Sequence, residues 1–377
     1  MENKVLFVAS TFSHLRNFHK PYIKAFHDLG WRVDLACGGK PTEIPFSDRS
    51  ICLPFEKRIA SLKNFKVAGI LRREIRKERY ALICTNTSLA SFFVRLALVG
   101  MRRRPYLSNM VHGYLFDEKT APLRKAILFA AEKITAPQTD LLFTMNRYDH
   151  TLAERYALGK KIVSIPGVGV DYDSFDEQRK NCKKSIRGEL KIADDSFALI
   201  YAAEFSARKS QTVLIEAMSM LPRNVVLILA GEGKTLEECR AVSKSLGLEE
   251  RVFFPGYMQP IGAWYEASDA VVSSSRSEGL PFNVMEAMHL GLPIIVSDVK
   301  GNSDLIHDGE NGLLYSYGDA KAFADCVLRI LDSEALRKRL GEQAREDADR
   351  YSLEQVFPQV WSQLLFAAET STEKKLS

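Results

Sequence analysis

Cysteine is sparse: there are six in 377 residues, at positions 37, 52, 84, 182, 239 and 326, and no two form a CxxC pair. That scatter excludes a zinc ribbon and a disulfide framework, and Cys37 and Cys84 read as buried thiols inside apolar strands. Long apolar runs are also missing. Residues 80–100 are interrupted by Asn86, Ser88, Ser91 and Arg95, and no run reaches the roughly 18 uncharged residues of a membrane span. The opening MENKVLFVAS enters a strand-like VLFVA without a signal-peptide layout, so the expectation is a cytoplasmic chain. No short repeat or low-complexity tract occurs. At 46% hydrophobic and 26% charged the composition is that of a folded globular enzyme, and 377 residues exceed one ordinary core, which implies two domains.

Acidic residues are scarce in the first half. Residues 1–180 hold 30 Lys and Arg against 18 Asp and Glu, whereas residues 181–377 hold 22 against 29. The halves therefore carry +12 and −7, which gives the net +5. A basic half points to an anionic partner. Nucleic acid is disfavoured because the basic clusters lack interleaved aromatics, zinc ligands or an RNP motif. An anionic membrane surface fits the segment from Lys57 to Arg79, where nine cations interleave with Ile, Leu, Phe and Val, with Arg102, Arg103 and Arg104 as a second cluster. A plain solvated surface is the alternative.

Short runs that are apolar on both faces recur at 5–9, 32–37, 80–85, 140–145, 161–165, 197–203, 225–230, 269–274 and 293–297, separated by helical patterns. This is the signature of parallel strands in a doubly wound α/β sheet. The alternation restarts near 197, after a polar, glycine-containing stretch. Two Rossmann-like domains are expected, 1–172 and 173–350, with a final amphipathic helix at 352–369 returning to the first.

Four segments carry chemistry. In SSSRSEGLPFNVMEAMHLGLPIIVSD (273–298) a strand runs into a loop and a helix that begins near Pro281. The backbone N–H groups of Gly279, Leu280, Phe282 and Asn283 at such a start form an anion seat. Glu278 and Glu286 can both face the crevice at the carboxyl edge of the sheet, where a carboxylate grips vicinal hydroxyls. The plainer alternative is two carboxylates serving their own helix. In YAAEFSARKSQTVLIEAM (201–218), Lys209 stands at a helix start and can neutralise a diphosphate, with Arg208 as its competitor. The turn LAGEGKTLEE (229–238) brings Gly231, and Tyr257 in RVFFPGYMQP can flank a base; a tight turn and a strand cap explain them equally well. In MVHGYLF (110–116), His112 stands at a strand end beside Gly113.

Taken in order, GEG, FPGYM, the Glu278-GLPFNVM-Glu286 array and GLPIIVSD resemble the retaining GT-B glycosyltransferases of family 4, over nearly the whole chain. The first half, with VASTFSHLRNFHKPYIKAFHDLGWRVDLAC and VHGYLF, is similar to the bacterial capsular and exopolysaccharide members. The resemblance implies that Glu286 holds the ribose hydroxyls, Glu278 contacts the donor sugar and Lys209 contacts the diphosphate. It implies that His112 lines the donor sugar and that Ser13, His14 and His19 form the acceptor side. It also implies a nucleotide-diphosphate sugar donor, UDP before GDP, and a polyprenyl-linked or oligosaccharide acceptor. The implied place is the inner face of the cell membrane, with no cofactor and no metal. Two departures stand out. Many members carry Gly-Arg-Leu where this chain has Ala203-Glu204-Phe205, and many carry a double glycine where it has Ser10-Thr11-Phe12-Ser13. The DxD at Asp171 and Asp173 falls at the domain junction and is not read as a metal site, and the sequon at Asn86 is not read as glycosylated. A non-transferring relative such as a sugar-nucleotide epimerase, or an inactive nucleotide-sugar-binding partner subunit, are the alternatives.

Overall fold

A computed structural model describes residues 2–376 except 57–60, 119 and 181–185. Two units emerge: residues 1–169 with 354–377, and residues 170–353. The sequence placed the joints at 172/173 and 350/352; contacts divide the chain at 169/170 and 353/354.

Unit 1 holds seven strands: β1 (Lys4–Thr11), β2 (Arg32–Gly38), β3 (Arg49–Leu53), β4 (Leu82–Thr85), β5 (Tyr106–Val111), β6 (Leu141–Thr144) and β7 (Lys161–Ser164). All pair in parallel, in the order β3-β2-β1-β4-β5-β6-β7. Unit 2 holds six: β8 (Phe197–Ala202), β9 (Val225–Ala230), β10 (Val252–Gly256), β11 (Ala270–Ser273), β12 (Ile294–Ser297) and β13 (Leu313–Tyr315), again all parallel, in the order β10-β9-β8-β11-β12-β13. Each sheet reverses its winding once, at β1/β4 and at β8/β11. That reversal splays the loops at the carboxyl edge and opens a crevice there.

Apolar residues on both strand faces explain why helices must cover both sides. In β8 and β9, Leu199, Tyr201, Leu227 and Leu229 enter one buried core. Their neighbours Ala198, Ile200, Val226 and Ile228 enter the other. Unit 1 buries Leu6, Val8, Ile83 and Leu107 on one side. On its other side Phe7 meets Phe26 with ring centres 6.0 Å apart. The C-terminal helix supplies Phe357 against Tyr22 at 5.3 Å and Trp361 against Phe26 at 4.9 Å.

The helices of unit 1 used below are α1 (Phe12–Phe18), α2 (Lys20–Asp28), α3 (Leu62–Glu78), α4 (Ser88–Leu98) and α5 (Pro122–Thr135). Helix α3 corrects one expectation. Lys57 and Arg58 lie outside the described residues, but Val67, Leu71 and Ile75, apolar residues of the segment read as a membrane surface, are buried in the core of the unit. Arg72 spends its guanidinium on the Ala97 and Val99 carbonyls that end α4, and Arg104 is paired to Asp140 through both nitrogens. Among the described residues no helix is long and apolar enough to cross a membrane.

Candidate active site

The site in unit 2 is assembled where its sheet reverses. After β8 the chain turns through Ala203 to Ser210, which takes a left-handed conformation at φ +49° before the helix Gln211–Met218. That turn delivers Arg208 and Lys209 beside the loop following β11. Glu278 lies there, 7% exposed, with one oxygen 2.5 Å from Lys209 Nζ and the other 2.8 Å from Arg208. Ser275 also donates its hydroxyl to the lysine-bound oxygen and is itself bonded to the Tyr201 hydroxyl at 2.7 Å. Burial pushes the Glu278 carboxyl up, but the charges of Lys209 and Arg208 and the hydrogen bonds outweigh it and hold the group at about 2. Burial pulls the Lys209 ammonium down, and the charges around it, Tyr201 and Glu278 first, bring it above its ordinary value. Glu278 is thus held as a carboxylate with its hydrogen-bond capacity largely committed, and the cluster of two cations and one anion keeps a net positive charge.

The loop closes on itself through backbone. Lys300 accepts the Glu278 N–H at 3.1 Å, and Gly301 sits at φ +84°. A Cβ there would lie 2.8 Å from the backbone of Glu278 and Gly279, so only glycine admits the approach. Pro281 is not the first helical residue, as the sequence suggested, but the extended residue before it, and the helix runs Phe282–Leu290. The Val284 N–H already bonds the Pro281 carbonyl at 3.2 Å, and the Asn283 side-chain amide nitrogen is a buried donor without a partner. One turn on, Glu286 accepts from the Tyr265 hydroxyl at 3.2 Å. Its carboxyl is enclosed, and that enclosure, outweighing the tyrosine bond, pushes it up to about 7.

One residue is placed differently from its sequence reading. The Gly231 N–H is spent on the Gly256 carbonyl at 2.7 Å and is not offered to a phosphate. At φ +147°, a Cβ on Gly231 would come within 2.1 Å of the Ala203 oxygen, so this glycine clasps the β8, β9 and β10 loops together. Tyr257 is 65% exposed at the end of β10, its hydroxyl 3.2 Å from Gln259. Of the DxD pair, Asp171 accepts the Ser174 N–H at 2.9 Å as a helix cap.

Unit 1 builds a second cluster at its own reversal. Thr11 ends β1 and caps α1, taking the His14 N–H at 3.3 Å and lying 3.1 Å from the Ser13 hydroxyl. His19 joins α1 to α2 and places its Nε2 3.2 Å from His112 Nε2, just past β5. The His14 and His112 rings are 4.6 Å apart. Burial lowers all three imidazoles: His14 to about 4, although the Asn86 carbonyl opposes the shift, and His19 and His112 well below the ordinary value. The three rings are therefore neutral near pH 7. Sequence reasoning named these histidines singly; it had no means of showing that they touch. It gave no role to Ser275, Tyr201, Tyr265 or Gly301, since none carries a motif, and read Asn86 only as a sequon.

EpsD of Bacillus subtilis (strain 168), named as a glycosyltransferase, is 32% identical over 358 residues, covering 93% of each chain. The family model for glycosyl transferases group 1 matches residues 183–347. The chain belongs to this family. The Escherichia coli UDP-Gal:alpha-D-GlcNAc-diphosphoundecaprenol alpha-1,3-galactosyltransferase is 26% identical over 292 residues, 74% of each chain. Among solved structures, Anabaena HepE in complex with UDP superposes with a TM-score of 0.75 at 20% identity, covering 96% of this chain and 99% of that one. WaaG, a glycosyltransferase involved in lipopolysaccharide biosynthesis, gives 0.74 at 17% identity over 94% and 98%. These two likenesses establish the fold: two Rossmann-like parallel-sheet domains, as in GT-B glycosyltransferases. As a glycosyltransferase, the chain acts on a nucleotide sugar, and the charged cluster of unit 2 is its candidate donor site.

Proposed function

We propose that this glycosyltransferase takes a sugar from a UDP-sugar and transfers it, with retention, to a polyprenyl-diphosphate-linked glycan during cell-surface polysaccharide synthesis. The observation that carries the reading is the Arg208–Lys209–Glu278 cluster set against a helix start with an unpaired Asn283 amide. Arg208, Lys209 and the backbone N–H groups of Gly279, Leu280, Phe282 and Asn283 take the diphosphate. Glu286 takes the ribose hydroxyls, Tyr257 flanks the base, and His112 lines the donor sugar. The printed substrates of the Escherichia coli relative favour UDP and a lipid diphosphate acceptor.

Retention is the reading that the family resemblance favours. Glu278 is ionised but committed to three donors, so it is not the base. The acceptor oxygen attacks the anomeric carbon on the face from which UDP leaves, the sugar–diphosphate C–O bond breaks, and the acceptor proton passes to the departing diphosphate oxygen. The cations stabilise the charge that grows there. Because they supply the positive charge, transfer is expected to survive EDTA. The deciding experiment measures UDP release from UDP-sugars with and without the lipid acceptor, and the anomeric configuration of the product by NMR. Acceptor-dependent release with retention supports the reading. Release that ignores the acceptor points to the epimerase-like alternative, and none at all points to a binding subunit.

The membrane surface is assigned to α5 instead of α3. Leu123, Ile127 and Ile134 are 76%, 61% and 76% exposed, and Ala126 and Ala130 complete an exposed stripe at helical spacing. Arg124 and Lys133 are exposed beside it, and the one carboxylate of the helix, Glu132, is turned inward onto Arg95 at 2.7 Å. An apolar stripe with cations beside it on the same helix matches an anionic bilayer. The Leu123→Asp/Ile127→Asp/Ile134→Asp variant should lose flotation with phosphatidylglycerol vesicles, while the Gln variant of Arg72, Arg73, Arg76 and Lys77 keeps it. The reverse pattern returns the surface to α3.

A further inference from the structure

The three histidines of unit 1 form a group whose mutual contacts the roles given to them singly do not account for. They come from α1, from the joint between α1 and α2, and from the residue after β5, so the folded sheet edge alone brings them together. One ring nitrogen of each lies within 4.8 Å of the others, and among the described residues this is the one group of His, Cys, Asp or Glu spaced to hold an ion. His19 Nε2 and His112 Nε2 are 3.2 Å apart. Imidazole nitrogens about 2.0–2.1 Å from a tetrahedral ion stand about 3.3 Å from one another. The pair therefore already has ligand spacing, and the metal takes the place of the proton the two nitrogens share.

His14 supplies the independent observation. Its Nε2 is a buried atom with no hydrogen-bond partner, and its ring centre stands 4.6 Å from that of His112 and 5.3 Å from that of His19. A buried polar atom left unpaired calls for a ligand.

We propose that His14, His19 and His112 bind a late first-row divalent cation, with zinc as the physiological candidate, through their three Nε2 atoms. The donor set is nitrogen alone, with no carboxylate among the three, which favours zinc, cobalt, nickel or copper over magnesium, calcium or manganese. Three protein ligands leave the fourth tetrahedral position to water or to a substrate hydroxyl. The site is built from residues of unit 1, and the diphosphate cluster from residues of unit 2. Because the ion occupies Nε2 of His112, bound zinc should slow transfer while leaving UDP binding intact.

The test uses the full untagged chain, stripped with chelator and titrated with cobalt(II). The expected result is one equivalent bound, with the visible absorption of a tetrahedral centre, displaced by zinc and not by magnesium. His14→Gln and His19→Gln should each reduce affinity at least about tenfold. Both should keep the wild-type UDP-induced melting shift, which reports unit 2 and shows that the chain is folded. If cobalt gives no tetrahedral spectrum, or if the variants bind it as tightly as the wild type, the site is not a metal centre. The three rings are then a neutral polar lining only.

Discussion

The two units are wound in the same order about the same kind of switch point, yet they furnish opposite electrostatics there. Unit 2 gathers Arg208, Lys209 and an ionised Glu278. Unit 1 gathers three imidazoles that burial keeps neutral. The difference runs against net charge, since the acidic half of the sequence holds the cationic seat and the basic half holds the uncharged one. What a crevice does is decided by the few side chains that loops deliver to the strand ends, not by the charge averaged over the domain.

The strongest way to break that contrast is to remove the lysine. Lys209→Ala should lower turnover about a hundredfold, as loss of a group aimed at developing charge does. A steady-state assay that finds turnover within about twofold of wild type would move the role to Arg208 or dissolve it. Next in size is the clasp that holds the loops of unit 2. Gly231→Ala must place a Cβ against the Ala203 oxygen in a conformation foreign to L-residues. It should cost about 3 kcal/mol in denaturant unfolding. A Gly39→Ala variant sits at φ +87° with no atom within 4 Å of its Cβ and should cost less. Equal costs would mean that strain alone, and not the loop clasp, sets the effect.

A smaller effect separates the two glutamates. The Glu286 carboxyl is raised from 4.5 to about 7, so its contribution to the ligand-free fold is present below pH 4.5 and is lost as the pH rises through 7. Glu278 is lowered from 4.5 to about 2, so its contribution is present above pH 4.5 and fades only as the pH falls towards 2. Ribose hydroxyls bond better to a carboxylate than to its acid. Uridine should therefore bind about fivefold tighter at about pH 8 than at about pH 6, and Glu286→Gln should abolish that dependence. Calorimetry showing the same pH dependence in the variant would exclude Glu286 as the ribose group.

How far the sequence carried differs between fold and site. Strands buried on both faces, such as VLFVA and VVLILA, announced themselves by unbroken apolar runs. Strand β3 escaped because it is an edge strand that begins Arg-Ser and leaves Ser50 and Cys52 exposed, so it shows no unbroken apolar run, and β13 escaped because it is three residues long. Within the site, Glu278 and Lys209 were each recognisable from their loops. Their pairing was not, because the contact joins residues 69 apart, and the His19–His112 contact joins residues 93 apart. Loop motifs report which groups reach a sheet edge; only the strand order reports which groups meet.

The central claim is that unit 2 seats a diphosphate on Lys209 and Arg208. Calorimetric titration of UDP and of uridine into the wild type and Lys209→Ala tests it most directly. The account predicts that UDP binds the wild type at least about tenfold tighter than uridine. In the variant that advantage should collapse while uridine affinity stays within about twofold. If uridine and UDP weaken together, or if the UDP advantage survives the loss of the lysine, the diphosphate is held elsewhere and the claim fails.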